Sequence, residues 1–146
     1  MAYAYVDTSA LAKWYLPEAG SEKLADWIQQ QEDTCISSLT MTEFRCLLAR
    51  RRRMGLLSAD QVQEVNALFQ QDCQDGHLLR FEVGDPQIIN AGLIIESMPS
   101  IPLRTPDALH LGIAHNHCAG ILATADSIMA RAAQQMGIEV EWFGEP

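Results

Sequence analysis

Short apolar runs alternate with longer amphipathic segments along almost the whole chain. The runs predict strands at Ala2 to Val6, Thr34 to Ser37, His77 to Val83, Ile121 to Ala123 and Ile138 to Phe143. Helical segments, rather than tight turns, separate these strands. Strands connected in this way pair in parallel and need helices on both faces of the sheet. The sequence therefore predicts an α/β fold, a three-layer α/β/α sandwich around a mainly parallel sheet.

Local signals mark where several helices begin and end. Thr40 to Glu43 and Ser58 to Gln61 each have the form of a capping box, in which two side chains bond the first backbone N–H groups of a helix. Glycine is expected to end three helices, at Gly55, Gly120 and Gly137. No repeat or interdomain linker interrupts the pattern, so residues 1–146 are expected to form a single domain.

Cysteine content and hydropathy bear on the compartment. The four cysteines are scattered and form no CxxC pair, which predicts reduced core residues at Cys35, Cys46, Cys73 and Cys118. No apolar run reaches the roughly 18 residues that a membrane-spanning helix needs. No signal peptide is recognisable. We expect a cytoplasmic protein with no membrane association.

The net charge is -9, which argues against a protein that coats nucleic acid through bulk electrostatics. Five of the ten basic residues nevertheless fall in one short stretch: Arg45, Arg50, Arg51, Arg52 and Arg53. This stretch predicts one basic ridge that could contact RNA phosphates. A solvated helix face explains it equally well.

Four acidic residues, Asp7, Glu43, Asp107 and Asp126, each stand where a predicted strand ends or a helix begins. Three of them follow strands, and the carboxyl ends of parallel strands meet at one edge of a sheet. Two like charges ~4 Å apart repel by roughly 4 kcal/mol at an effective dielectric of ~20. Carboxylates gathered in this way either take up protons or hold cations. We expect cations.

The expected cofactor is Mg²⁺ or Mn²⁺, with two ions in the catalytic complex, because these ions accept carboxylate oxygens and water. Such a pair could activate a water molecule and stabilise the leaving 3'-oxygen of a phosphodiester. The hydroxyls of Thr8, Ser9 and Thr124 are expected to orient the carboxylates or bound waters.

Every one of these acids also has a structural explanation. Asp7, Asp107 and Asp126 could cap helices or oppose helix dipoles, and Glu43 could complete the capping box with Thr40. These explanations do not account for several acids sharing one strand edge.

The histidines allow two further interpretations. His110 lies one turn from Asp107 and could contact phosphate or RNA, although a surface histidine is the simpler explanation. His115 and His117 point to different sides of a helix and have no cysteine pair nearby, so we reject a zinc site.

Four segments carry Asp7, Glu43, Asp107 and Asp126 in this order: YVDTSALAKWY, SSLTMTEFR, RTPDALHLGIA and LATADSIMARAA. Together they resemble the PIN-domain ribonucleases, in particular the VapC-like toxins of toxin-antitoxin pairs. The resemblance covers nearly the whole chain. It implies a PIN-like sandwich, Mg²⁺- or Mn²⁺-dependent RNA cleavage, a homodimer, and inhibition by a cognate antitoxin protein whose tail enters the acidic groove.

Two other functions remain open at this point. A metal-dependent DNA or flap-type nuclease would use the same acids on a different substrate. A noncatalytic PIN-like module would keep the fold and regulate a partner, although a full set of acids without metals would gain stability by losing a charge.

Overall fold

The structure is a computed structural model that describes residues 3–117 and 119–146. Its elements, in chain order, are β1 (Tyr3–Val6), α1 (Thr8–Tyr15), α2 (Ser21–Gln29), β2 (Asp33–Ser37), α3 (Ser38–Arg53), α4 (Ala59–Gln74), β3 (Leu79–Phe81), α5 (Asp85–Ser97), α6 (Thr105–Asn116), β4 (Ala119–Thr124), α7 (Ser127–Gln135) and β5 (Glu139–Trp142). The predicted alternation of strands and helices is confirmed.

The five strands form one parallel sheet in the order β3-β2-β1-β4-β5. β1 lies at the centre, where Tyr5 is in register with Cys35 of β2 and Leu122 of β4. Because all strands run the same way, Asp7 and the residues that follow β2 and β4 reach the same edge of the sheet. That edge holds the candidate site.

Successive residues of each central strand face opposite sides of the sheet. Tyr5 and Leu122 pack into a core with residues of α5, α6 and α7, whereas Val6 and Ala123 pack into a second core with residues of α1 to α4. Helices therefore cover both faces, and the expected three-layer α/β/α sandwich is confirmed.

The long hairpin of α3 and α4 packs through one stripe of each helix. Thr40, Phe44 and Leu48 are the buried residues of α3, and Phe69 is the buried residue of α4. The rings of Phe44 and Phe69 meet edge to face with centroids 5.0 Å apart, a geometry that adds about 0.5–1.5 kcal/mol beyond burial. The two flanks of α3 on either side of this stripe remain available for other contacts.

Two predicted helix ends differ from the structure. Gly120 does not end α6, which stops at Asn116, because Ala119 already pairs with Tyr3 as the first residue of β4. The capping box at Thr40 to Glu43 is also wrong: α3 begins at Ser38, and the Ser37 N–H donates to Thr40 Oγ1 over 3.5 Å.

The other predicted ends are confirmed. The Ser58 N–H donates to Gln61 Oε1 over 2.8 Å, and the Gln61 N–H donates to Ser58 Oγ over 3.1 Å. Gly55 and Gly137 end their helices with φ values of 77° and 80°, a conformation that side chains disfavour.

The cysteines only partly match their predicted positions. Cys35 is buried, and burial raises the pKa of its thiol to about 12. Cys73 is half-buried and Cys46 is exposed, so the expectation of a core position is wrong for Cys46. Its position follows from the stripe of α3, which passes through Phe44 and turns Cys46 away from the sheet. Cys118 lies outside the described residues.

No helix in residues 3–117 or 119–146 is both long enough and apolar enough to cross a membrane.

Candidate active site

A cavity of about 320 Å³ opens at the carboxyl edge of the sheet, and the four acids singled out above all line it. Asp7 follows β1, Asp126 follows β4, Glu43 lies in the second turn of α3 and Asp107 in the first turn of α6. Asp107 could not be placed by strand topology alone, yet α6 brings it to the same cavity. The structure therefore gathers residues that are as much as 119 positions apart in the sequence.

Asp7 is held from several directions. Its side chain is only 2% exposed; Oδ1 accepts hydrogen bonds from the Ala10 N–H (3.0 Å) and the Ser9 hydroxyl (2.7 Å), and Oδ2 accepts one from the Thr124 hydroxyl (2.5 Å). Burial raises the pKa of Asp7, although these hydrogen bonds and the nearby His110 oppose the rise. Asp7 is thus both the N-cap of α1 and a fixed carboxylate of the cavity.

Glu43 is fixed through a single oxygen. Oε1 accepts a hydrogen bond from the Thr8 hydroxyl over 2.7 Å and contacts His110 Nε2 over 2.5 Å. Burial favours a higher pKa for Glu43, but the hydrogen bond and charge of His110, with help from Thr8, outweigh it and lower the pKa. Glu43 is therefore held in its ionised form.

His110 is buried, with 2% exposure, so its expected surface position is wrong. Its Nδ1 lies 2.7 Å from the hydroxyl of Tyr5 in the central strand. Burial raises the pKa of Tyr5 far above its usual value, so the phenol stays protonated and can donate to Nδ1. The charged ring and the neutral ring whose Nδ1 accepts from Tyr5 both carry a proton on Nε2, and this proton is donated to Glu43. A signal for this burial is present in the sequence, because His110 falls within an apolar run of α6 that is buried from Asp107 to Ala114.

Asp107 and Asp126 complete the acidic wall. Asp107 Oδ2 accepts the Arg104 N–H over 3.0 Å, and Asp126 Oδ1 accepts the Ile128 N–H over 2.9 Å. Burial raises the pKa of Asp107, and the negative charge of Asp126 raises it further. The two carboxylates therefore lie near enough to repel each other, even though each also caps a helix.

The carboxylates suit a hard divalent cation. Burial and mutual repulsion both penalise their negative charge, and a cation would relieve both. Within the described parts of the chain, no three acidic, histidine or cysteine side chains form a ready ligand set for one ion. The acids are instead distributed around the cavity wall, an arrangement that suits Mg²⁺ or Mn²⁺, which bind one or two carboxylates and keep several waters.

The hydroxyls predicted to assist the acids do contact them. Thr8 bonds Glu43, while Ser9 and Thr124 bond Asp7. Arg104, which was not among the predicted site residues, also lines the cavity, and its Nε lies 3.9 Å from Asp107 Oδ2. The sequence signal for Arg104 is its position directly before the helix start at Thr105-Pro106, next to Asp107.

The arginines of α3 do not form the single ridge that was expected. Arg50 lines the acidic cavity. Arg51 pairs with Glu18 over 2.7 Å, and Arg45, Arg52 and Arg53 line a separate groove between α3 and α4. Successive residues of a helix point about 100° apart, so a run of four arginines is divided among its faces.

A sequence model of the PIN domain matches residues 4–135. The chain belongs to the PIN domain family. The match spans all four acidic segments and most of the sheet. The search of curated proteins gave no match.

Solved structures share the PIN fold over most of their length. FitAcB from Neisseria gonorrhoeae aligns with a TM-score of 0.70 and 20% identity, covering 94% of this chain and 95% of its own. VapC20 from Mycobacterium tuberculosis, a toxin that cleaves the sarcin-ricin loop, aligns with a TM-score of 0.72 and 15% identity, covering 88% of this chain and 94% of its own. VapBC2 from Rickettsia felis, bound to a DNA fragment from its promoter, aligns with a TM-score of 0.69 and 14% identity, covering 97% of this chain and 98% of its own. At these identities the likeness shows the fold.

Proposed function

We propose that this PIN-domain protein is a metal-dependent endoribonuclease and the toxin of a toxin-antitoxin pair. The observation that carries the proposal is the convergence of Asp7, Glu43, Asp107 and Asp126 on one cavity. Phosphodiester hydrolysis with bound divalent ions needs such a set of hard oxygen ligands and no protein nucleophile.

The related folds support the substrate class. VapC20 shares the fold and is a toxin that cleaves the sarcin-ricin loop, and a toxin-antitoxin complex from Klebsiella pneumoniae shares the fold as well. The presence of the full set of acids argues that this chain has kept the chemistry along with the fold.

In the proposed mechanism the four carboxylates would hold Mg²⁺ or Mn²⁺, two ions in the catalytic complex, and the bound metal would supply Lewis acidity at the phosphate and lower the pKa of a water molecule. Ser9 and Thr124 hold the Asp7 carboxylate, and Thr8 and His110 hold that of Glu43. Because these hydrogen bonds exist before substrate arrives, the ligands need little reorganisation on binding.

Two arginines of the cavity suit the substrate's phosphates. Arg50 and Arg104 both line it, and Arg104 has a side chain that is 78% exposed. A guanidinium can donate two hydrogen bonds to one phosphate and so position the chain over the acids. We infer that these two residues help offset the negative field of the cavity toward RNA.

The proposal includes partners and a compartment. A cognate antitoxin would inhibit the enzyme, and the protein would act in the cytoplasm as a homodimer. The exposed apolar residues Ile88, Ile89 and Leu93 on one face of α5 offer a surface for a second copy.

The test is cleavage of a structured RNA by purified protein with Mg²⁺, with Mn²⁺, and with excess chelator. We expect cleavage only with the ions, leaving 5'-phosphate and 3'-hydroxyl ends, and its loss in Asp7→Asn. Asp26→Asn is the matched control, because Asp26 is an exposed acid of α2 away from the cavity. Cleavage that persists in chelator would contradict the mechanism, and preferential cleavage of DNA of the same sequence would reassign the substrate.

A further inference from the structure

A second groove of the protein is larger than the acidic cavity. It lies between α3 and α4 and has a volume of about 770 Å³. Its lining combines three arginines, one acid, two amides and several apolar residues: Arg45, Arg52, Arg53, Asp60, Gln63, Asn66, Leu48, Ala49, Ala59 and Val62. This groove has no role in the chemistry proposed above.

The charge of the groove is opposite to that of the rest of the molecule. The chain carries a net charge of -9, yet Arg45, Arg52 and Arg53 gather here and are all exposed. Within residues 3–117 and 119–146 none of the three forms a salt bridge, whereas the neighbouring Arg51 is paired with Glu18. Unpaired guanidinium groups concentrated in an acidic protein indicate a polyanionic ligand.

The groove and the acidic cavity lie on the two flanks of α3. Glu43, Leu47 and Arg50 recur at helical spacing and line the cavity, while Arg45, Leu48 and Arg52 recur at the same spacing and line the groove. A helix with its side chains is about 10–12 Å across. A strand of nucleic acid that crosses α3 could therefore occupy both places at once.

The groove also holds an unsatisfied polar atom. The side-chain oxygen Oδ1 of Asn66 is buried and has no hydrogen-bond partner within the described structure. Buried polar groups are nearly always paired, so an unpaired one in a groove wall is unusual. Asn66 and Gln63 provide amides suited to ribose and base edges once the Asn66 side chain turns toward a ligand.

We propose that this groove, which we call the α3–α4 groove, is a second RNA-binding site that holds the strand outside the cleavage site. The proposal rests on the proposed ribonuclease function. Arginines would bind backbone phosphates, and the half-buried Val62 would pack against an unstacked base. Arg50, on the cavity side of α3, would link the groove to the scissile phosphate.

The decisive variant replaces Arg45, Arg52 and Arg53 with glutamine. Steady-state cleavage is compared on a short single-stranded RNA of about six nucleotides and on a long one of about thirty that contains the same cleavable segment. We expect KM for the long RNA to rise at least about tenfold, while kcat and the KM for the short RNA stay unchanged. The plot of log K for long-RNA binding against log salt concentration should become shallower by a slope of about 2, because three phosphate contacts are lost and each contributes ~0.7.

A single pair of variants controls for net charge. Arg52→Gln and Arg131→Gln each remove one positive charge, but Arg131 is an exposed residue of α7 that does not line the groove. Only Arg52→Gln should raise KM for the long RNA. Thermal unfolding of each variant identifies any loss of fold, and binding of long RNA in chelator measures the groove independently of cleavage.

The outcomes separate this proposal from the ribonuclease proposal. Wild-type protein that cleaves both RNAs, with a triple variant that does the same at unchanged KM and salt slope, would overturn the second site and leave the nuclease intact. Absence of cleavage of any RNA by the wild type would overturn the nuclease itself. If the triple variant instead binds RNA normally but loses binding of polyglutamate that the wild type shows, the groove is a protein-docking surface and the proposal is wrong.

Discussion

His110 Nε2 lies 2.5 Å from Glu43 Oε1, and this contact links the catalytic edge of the sheet to its centre. The other ring nitrogen of His110 meets the hydroxyl of Tyr5, which is fully buried in β1. A chain of three side chains thus connects the central strand to a carboxylate of the cavity. Because Oε1 also accepts from Thr8, the contact fixes how Glu43 presents its second oxygen.

His110 is therefore predicted to position Glu43 rather than to contact RNA. Replacing it by alanine should weaken Mn²⁺ binding about 10–100-fold, the usual range for loss of a group that orients a metal ligand. His110→Gln, whose amide can still donate, should recover part of the affinity. Calorimetric titration with Mn²⁺ measures both variants. An unchanged Mn²⁺ affinity in His110→Ala, with the fold intact by circular dichroism, would show that the contact is only structural.

Asp7 predicts one direction of pH dependence in metal-free protein. Its folded-state pKa is raised by burial above the ordinary value of about 3.9. Between those two values the folded state holds a proton that the unfolded chain has released, so the free energy of unfolding falls as pH rises. Asp7→Asn lacks this loss, so its stability relative to wild type should increase from acid toward neutral pH. Urea unfolding of both proteins in chelator, repeated across this pH range, measures the difference in stability. A decrease would contradict the assigned environment.

Glu43 predicts the opposite direction. Burial alone would raise its pKa, but His110 and Thr8 bring it below the ordinary value of about 4.3. Its stabilising contribution is then fully present above that ordinary value and is lost as pH falls through the lower folded-state pKa. Glu43→Gln should consequently be less stable than wild type near neutral pH, with a deficit that shrinks in acid. Urea unfolding of Glu43→Gln and wild type in chelator measures this difference in stability. A difference that grows in acid would contradict the inference that His110 lowers the pKa of Glu43.

The apolar face of α5 predicts where a second copy binds. Ile88, Ile89 and Leu93 are 54%, 67% and 60% exposed, and no atom lies within 4 Å of where a Cβ on Gly92 would stand. Glycine inside a helix costs about 1 kcal/mol relative to alanine, and no packing within the described chain explains it here. Close approach by the α5 helix of a second copy would explain this glycine. Light scattering should show a dimer for wild type and a monomer for Ile89→Lys, whereas a dimeric Ile89→Lys would move the interface elsewhere.

Much of the fold could be predicted because it depends on local signals. Strand–helix alternation, the cap at Ser58 and the glycines at Gly55 and Gly137 act over a few residues, and the structure confirms them. The end of α6 was missed at Gly120 because pairing of Ala119 with Tyr3, more than a hundred residues away, overrides the local glycine signal.

The four acids of the site could be predicted from the sequence, but the positions of His110 and the arginines around them could not. Asp7, Glu43 and Asp126 follow from the common edge of parallel strands. The buried position of His110 depends on Tyr5, far away in the sequence, and the division of the arginines depends on which stripe of α3 packs on Phe69. Such facts arise from tertiary packing, which periodicity does not specify.

Direct titration of metal-free protein with Mn²⁺ tests the central claim that folding gathers these carboxylates to hold divalent cations. We expect saturable binding by the wild type and an affinity at least about tenfold weaker in Asp7→Asn, with the affinity of Asp26→Asn unchanged. Absence of any Mn²⁺ binding by folded wild-type protein at millimolar ion, or equal binding by Asp7→Asn, would contradict it.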